Sequence, residues 1–279
     1  MTNSDDSITV QSIAFIGGGN MASAIIGGLL QQGMAASAIQ VVEPLEEQRL
    51  KLRQQFDVQA RETSGPSLVD AAMVVWAVKP QTFKDAALRA RFHTKNALHL
   101  SVAAGIRSDS IAHWLGTERV VRAMPNTPAL VGQGMTALFA RPAVSSADRA
   151  LVGSVIQTTG EHIWLDDESQ LDVVTALSGS GPAYVFYFME AMVEAGMNMG
   201  LSQAQAHTLA VSTFAGSSAL AKTSSEPPDV LRARVTSKGG TTHAALTSME
   251  QDNMKTHFIR AMHAARQRAR ELGDEFGAL

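Results

Sequence analysis

The chain has 279 residues, 45% of them hydrophobic and 18% charged, with a formal net charge of −3. This suits a soluble globular protein of one large or two ordinary domains, and the weakly acidic balance argues against a nucleic-acid footprint, which needs clustered Lys and Arg. The absence of cysteine excludes disulfides, thiol nucleophiles and Cys-based zinc sites, and a cytoplasmic location is the simplest reading.

From the N-terminus, Met1-Thr2-Asn3-Ser4-Asp5-Asp6 is acidic and lacks the basic and apolar segments of a signal peptide. Ser12–Ile16 reads as a buried strand, followed across Gly17-Gly18-Gly19 by a helix from Asn20 to Gln32. A second strand at Gln40–Glu43 leads through Pro44 into a helix from Leu45 to Phe56. Further strands are predicted at Met73–Val78, Ala97–Ser101 and Arg119–Met124, the last preceded by a helix at Ser108–Leu115. Met135–Ala140 and Glu161–Leu165 are the final strands, separated by a helix at Ser146–Thr158. Such alternation implies a mostly parallel sheet covered on both faces. From Asp166 onward the pattern is helical: Asp167–Leu177, Pro182–Met199, Ser202–Lys222, Pro227–Val235, Thr241–Glu250 and Met254–Leu272. The chain thus divides into an α/β half, residues 1–165, and an all-α half, residues 166–279. No apolar run reaches the roughly 18 residues of a membrane span, so no membrane partner is expected.

Gly17-x-Gly19-x-x-Ala22 lies between the first strand and its helix, where a dinucleotide fingerprint belongs. The first glycine permits a tight turn, the second lets backbone approach a pyrophosphate, and the small third residue lets helix and strand pack closely. Glu43, at the end of the next strand, suits a hydrogen bond to an adenosine ribose and hence NAD, whereas a 2′-phosphate calls for a basic neighbour such as Arg49. The alternative for Glu43 is a solvated residue capping a strand before Pro44. Ala77-Val78-Lys79-Pro80, Ser101-Val102-Ala103-Ala104-Gly105 and Met124-Pro125-Asn126-Thr127-Pro128 then place small, polar or rigid residues at three consecutive strand ends, the edge where open α/β sheets bind ligands.

Near the C-terminus, Val235-Thr236-Ser237-Lys238-Gly239-Gly240-Thr241-Thr242-His243 is a glycine- and hydroxyl-rich loop between two helical patterns. Gly239-Gly240 sits where a helix begins, and unpaired N–H groups and the positive end of the helix dipole there favour a carboxylate or phosphate. The alternative is an ordinary helix start with a Thr N-cap. Ser178-Gly179-Ser180-Gly181-Pro182 lies at the junction of the halves and reads equally as a hinge or as part of a site. The eight histidines lack the spacing of a helix-borne zinc site, and no metal is expected.

These motifs in this order, with Leu177–Tyr184 between them, are similar over nearly the whole chain to the pyrroline-5-carboxylate reductase family. The resemblance implies a Rossmann-type N-terminal domain, a helical dimerisation domain, and reduction of 1-pyrroline-5-carboxylate to L-proline by NADPH or NADH, the last step of proline biosynthesis. It also implies a homodimer or a higher homo-oligomer such as a decamer, with sites shared between subunits. The cofactor set is then Gly17, Gly18, Gly19, Asn20, Met21, Glu43, Ala77, Val78, Lys79, Pro80, Ala103, Ala104, Gly105 and Asn126. The substrate set is Val235, Ser237, Gly239, Gly240 and Thr242, with Thr242 as the catalytic candidate. Lys238 and Glu43 depart from the family pattern, which has Pro at the first position in many members and neutral or basic residues at the second in those that prefer NADPH.

Two rival chemistries are weighed against this. A β-hydroxyacid dehydrogenase shares the plan but uses a lysine of the helical half, and no lysine occurs between Asn96 and Ala221. A non-catalytic redox sensor would need no carboxylate clamp. For imine reduction, positioning supplies much of the barrier reduction and a protonated iminium needs no dedicated acid. Thr242 can bond the ring nitrogen or the carboxylate. His243 is given no role.

Overall fold

The computed structural model describes residues 12–277. The segment Met1–Asp6, read above for the absence of a signal peptide, lies outside the described residues. Eight strands form one sheet: β1 (Ile13–Ile16), β2 (Ile39–Val42), β3 (Ala60–Arg61), β4 (Met73–Trp76), β5 (Leu98–Ser101), β6 (Val120–Met124), β7 (Gly134–Ala140) and β8 (Gly160–Leu165). Their order is β3-β2-β1-β4-β5-β6-β7-β8, and every pairing is parallel except β6 with β7. This is the Rossmann-type, mostly parallel sheet expected. Its central strands β1 and β4 are short continuous apolar runs because helices cover both faces. In β1, Ile13 and Phe15 enter one core and Ala14 and Ile16 the other, as a side-chain period of two requires.

The crossovers and surrounding helices are α1 (Asn20–Gln31), α2 (Glu46–Phe56), α3 (Pro80–Ala90), α4 (Ser108–Leu115), α5 (Ser146–Gln157) and α6 (Gln170–Val174). Sequence patterns did not identify β3, whose two residues are too few to show periodicity, nor α3, which starts at Pro80. The predicted helix Asp167–Leu177 is instead α6 running into a π-helical turn, Thr175–Gly179, in which the Ser180 N–H donates to the Thr175 carbonyl (2.8 Å). Glu168, just before α6, accepts from Arg122 Nη1 (2.7 Å) and from the Ser108 N–H (2.6 Å), joining β6 to the first turn of α4.

The chain packs as two compact units: one holds residues up to Ser180 and those from Ala265, the other is Gly181–Ala264. The switch from strands to helices at 165/166 is therefore not the packing boundary, because α6, its π turn and the chain end stay with the sheet. The Ser110 hydroxyl donates to the Gly277 carbonyl (2.7 Å), and a methyl group on Gly105 would come 3.0 Å from Leu272 Cβ.

The second unit is helical, with α7 (Gly181–Asn198), α8 (Gln203–Thr223), α9 (Pro228–Arg234), α10 (Thr241–Gln251) and the first part of α11 (Met254–Phe276). A capping box starts α8: the Gln205 N–H donates to Ser202 Oγ (3.3 Å) and the Ser202 N–H to Gln205 Oε1 (2.9 Å). The buried residues of this unit are Gly196, Ala206 and Ala210, all small, where α7 and α8 meet. Phe186, Tyr187, Met192, Met197, Leu209 and Leu220 stay exposed. A groove of about 520 Å³ is lined by Phe186, Met189, Val193, Met197 and Val211. Among the described residues no helix is long and apolar enough to cross a membrane.

One buried titratable group yields a stability prediction. His99 on β5 is 1% exposed, and its Nδ1 accepts a hydrogen bond from Trp76 Nε1 (3.1 Å). Burial pushes the imidazole down to about 4 from its ordinary 6.5, against the opposing hydrogen bond with the Thr94 backbone. Protonation therefore favours the unfolded chain. Stability from this group is complete above about pH 6.5 and lost as pH falls towards 4, at up to about 1.4 kcal/mol per pH unit. Calorimetric melts across this window should show a falling midpoint, and His99→Asn, which keeps an acceptor for Trp76, should flatten that slope.

Candidate functional site

The carboxyl ends of β2, β1, β4 and β5 are joined edge to edge. The Gly17 N–H donates to the Val42 carbonyl (2.8 Å), the Ala77 N–H to Ile16 (2.8 Å) and the Val102 N–H to Trp76 (3.0 Å). β1 pairs with β2 on one side and β4 on the other, so the chain reverses its direction of travel across the sheet here. Doubly wound sheets open a crevice at such a point.

Gly17 is required twice over. Its φ is +96°, and a methyl group there would lie 2.5 Å from the Ala77 carbonyl oxygen. Gly18 packs on Leu52, and its peptide is held at both ends. Its N–H donates to Glu43 Oε2 (2.8 Å), while Gln48 Nε2 donates to its carbonyl (2.5 Å). Gly19 differs: a methyl group there would meet nothing within 4 Å. It is the N-cap of α1, no side chain caps that helix, and the first-turn N–H groups of Gly19, Asn20 and Met21 are left for an outside acceptor. An open, uncapped helix start after a pinned glycine turn fits a dinucleotide pyrophosphate. Gln48 and Leu52 were not singled out from sequence. Their partners lie about 30 residues away, and no local motif marks them.

Glu43 is 8% exposed, and its second oxygen accepts the Leu45 N–H (2.9 Å). Arg49 Nη1 donates to the carbonyls of Glu43 (2.9 Å) and Pro44 (2.6 Å). The carboxylate therefore braces the glycine loop instead of standing solvated at a strand end.

The other strand ends are mixed. Lys79 is exposed and is the N-cap of α3, with Pro80 in the first turn and Ala77 and Val78 half-buried. Ala103 and Gly105 are buried, with Gly105 set against Leu272, while Val102 and Ala104 are half-buried. Both ends of the Asn126 amide are engaged: Oδ1 accepts the Met135 N–H (2.9 Å) and Nδ2 donates to the Ser178 carbonyl (3.2 Å). Gly17, Gly18, Gly19, Glu43, Ala77 and Val78 are brought together, while Asn126 ties β6, β7 and the π turn. No group of three or more His, Asp or Glu among the described residues is arranged to hold a metal ion.

In the helical unit, Val235 ends α9 and is 64% exposed. Ser237, Gly239 and Gly240 follow as a tight turn, with the Gly240 N–H donating to the Ser237 carbonyl (3.0 Å) and Gly239 at φ +76°. The N-cap of α10 is Gly240, and no side chain caps the helix. Neither Thr241 nor Thr242 serves as the Thr cap that was the alternative reading. Thr242, half-buried in the first turn, keeps its hydroxyl for another partner, and His243 is exposed.

The chain has relatives along nearly its full length. Residues 168–272 match the family model described as pyrroline-5-carboxylate reductase dimerisation, and residues 12–105 match that described as NADP oxidoreductase, coenzyme F420-dependent. A pyrroline-5-carboxylate reductase of Pseudomonas aeruginosa is 44% identical over 267 residues, covering 95% of this chain and 98% of that protein. Among solved structures, a pyrroline-5-carboxylate reductase from Coxiella burnetii superimposes with a TM-score of 0.87 at 36% identity, covering 94% of this chain and 98% of its own. The Plasmodium falciparum pyrroline carboxylate reductase, solved with NADP bound, superimposes with a TM-score of 0.84 at 27% identity, again over 94% and 98%. The cradle on α1, the apolar helical faces and the glycine-opened start of α10 thus occur in a chain that belongs to the pyrroline-5-carboxylate reductase family.

Proposed function

We propose that the protein reduces 1-pyrroline-5-carboxylate to L-proline with NADPH or NADH, the last step of proline biosynthesis. The observation that carries this is the pairing, in a member of the family, of two uncapped helix starts opened by glycine: α1, suited to a pyrophosphate, and α10, suited to a small carboxylate. A bound reduced nicotinamide supplies the hydride. The chain's own residues bind and orient. The N–H groups of Gly19, Asn20 and Met21 hold the pyrophosphate over the turn set by Gly17 and Gly18, with Glu43 on the adenosine side. Ala77, Val78, Lys79, Pro80, Ala103, Ala104, Gly105 and Asn126 line or support the remainder, Ala103 and Gly105 through main chain. Ser237, Gly239, Gly240 and Thr242 grip the substrate carboxylate, and Val235 gives the ring an apolar wall. The Thr242 hydroxyl bonds the carboxylate or the ring nitrogen and acts as the catalytic residue by fixing the ring. The imine nitrogen takes its proton from solution, so no side-chain acid is assigned.

Residues 1–165 form the dinucleotide-binding part and 166–279 the dimerisation and substrate-binding part of this reading. The working form is a cytoplasmic homodimer or a higher homo-oligomer such as a decamer, supported by the exposed apolar faces of α7 and α8.

Purified protein given pyrroline-5-carboxylate and each reduced cofactor should consume cofactor absorbance, and no turnover with either would sink the proposal. Thr242→Ala should lower kcat/KM for the imine about 100-fold while leaving dinucleotide affinity within about twofold; equal losses in both would remove its substrate role. Two glycine variants separate binding from folding. Gly19→Ala, at φ −71° with open space around it, should still fold and change stability by no more than about 1 kcal/mol, because the gain from a stiffer unfolded chain is set against the poor N-cap preference of Ala, yet weaken dinucleotide binding. Gly17→Ala should lower both. Titration calorimetry beside thermal melts reads the two effects apart.

A further inference from the structure

The geometry points to Glu43 as the residue that sets the nicotinamide preference, and to NADH over NADPH as the cofactor this chain takes; the inference rests on reading the β1–β2 edge as the adenosine side of a dinucleotide site. The Glu43 carboxylate is almost wholly buried and fixed from two directions, by the N–H of Gly18 (2.8 Å) and that of Leu45 (2.9 Å). It cannot swing aside without breaking both bonds, and the first of them is part of the glycine turn itself. In doubly wound sheets the acidic residue at this strand end meets the ribose 2′ position. Each carboxylate oxygen retains acceptor capacity beyond the one bond it makes, so a 2′-hydroxyl can donate to it. A 2′-phosphate brings about −1.5 to −2 charges and no donor, and meets an immobile negative charge there.

The surroundings add to the bias. Glu46 stands in the first turn of α2, close behind Glu43 in the chain, while Glu47 beside it is paired with Lys51 (2.7 Å). Two cations lie near this edge. Arg49 has Nη1 committed to the main-chain carbonyls of Glu43 and Pro44, which holds its guanidinium against the turn. Arg61 lies on β3 with its side chain exposed, and its carbonyl accepts the Glu43 N–H (2.8 Å). Neither forms an ion pair with the Glu43 carboxylate among the described contacts, so that charge stays in place.

The test uses the full-length protein and ligands without nicotinamide, so that it reads binding alone. Titration calorimetry with ADP-ribose and with 2′-phospho-ADP-ribose should show ADP-ribose binding at least about tenfold more tightly. Glu43→Gln, similar in size and checked for folding by its thermal melt, should narrow or reverse that ratio, mainly through tighter binding of the phosphorylated ligand. Equal or tighter binding of 2′-phospho-ADP-ribose by the wild-type protein overturns the proposal, most directly if Arg49→Ala or Arg61→Ala abolishes it. A wild-type preference for ADP-ribose that Glu43→Gln leaves unchanged overturns the assignment to Glu43. Failure of both ligands to bind removes the dinucleotide-site reading itself, and the proposal with it. Should Glu43→Gln not fold, the wild-type ratio still decides the preference.

Discussion

The near contact between Gly17 and the Ala77 carbonyl is the constraint on which the nucleotide-facing half depends. A side chain at Gly17 would have to occupy the space of the Ala77 carbonyl just past β4, 2.5 Å away, so the seam between β1 and β4 closes only around a glycine. Because the seam closes, the chain turns sharply enough for α1 to begin at Asn20, beside the crevice. The clamp on Gly18 then follows: Glu43 takes its N–H, Gln48 its carbonyl, and Leu52 fills the space beneath. Three residues that never leave the β2–α2 segment thereby hold the loop before α1. Glu43 is thus a brace as well as a charge, and a substitution there acts on the turn whatever else it does.

The helical unit is built on the opposite principle. Ordering each residue costs about 1–2 kcal/mol of backbone entropy, and its buried residues, Gly196, Ala206 and Ala210, are too small to offset much of that. Its large apolar side chains, such as Phe186, Tyr187 and Leu209, face outward, where covering each contributes about 1.5–3 kcal/mol. Beside the half-buried packing of Tyr184 and Phe188 on Phe258, a unit so arranged keeps much apolar surface for contact outside itself, in keeping with a dimerisation domain. The small residues let α7 and α8 approach closely, and the bulky ones stay on the surface.

Legibility in the sequence followed from how local each signal is. The buried strands were readable because runs such as Met73–Trp76 are apolar and bounded by breakers. β3 was not, because Ala60–Arg61 belongs to the sheet through its hydrogen bonds with β2 rather than through its own pattern. The glycine turn was readable from its spacing, and its purpose was legible in part: Gly17 and Gly19 do different work, one avoiding a clash and the other leaving space. Glu43 was visible as an acid at a strand end, but its bond to Gly18, 25 residues away, has no sequence trace. Asn126 shows the same limit. A polar residue on a stiff loop invites a ligand, whereas both ends of its amide are taken up by Met135 and Ser178.

Helix starts differ in how their first donors are met, and the lack of a side-chain cap does not by itself mark a ligand end, since α2 and α6 also start without one. α5 and α8 carry full capping boxes, from Ser145 with Asp148 and from Ser202 with Gln205. The first N–H of α4 is met by Glu168, and α3 and α9 open with prolines that have no N–H to satisfy. α1 and α10 instead begin at a glycine N-cap with no side-chain cap. Glycine in place of serine at such a position costs only a few tenths of a kcal/mol, so leaving these two starts bare sacrifices little stability. What it preserves is a set of N–H groups and a dipole end that water satisfies until an anion displaces it. A side chain folded over either start would satisfy those donors permanently and leave nothing for a pyrophosphate or a carboxylate to gain by binding. On the proposed reading, the bare glycine start is a choice between stability from within the helix and affinity for an outside charge, made the same way at α1 and at α10.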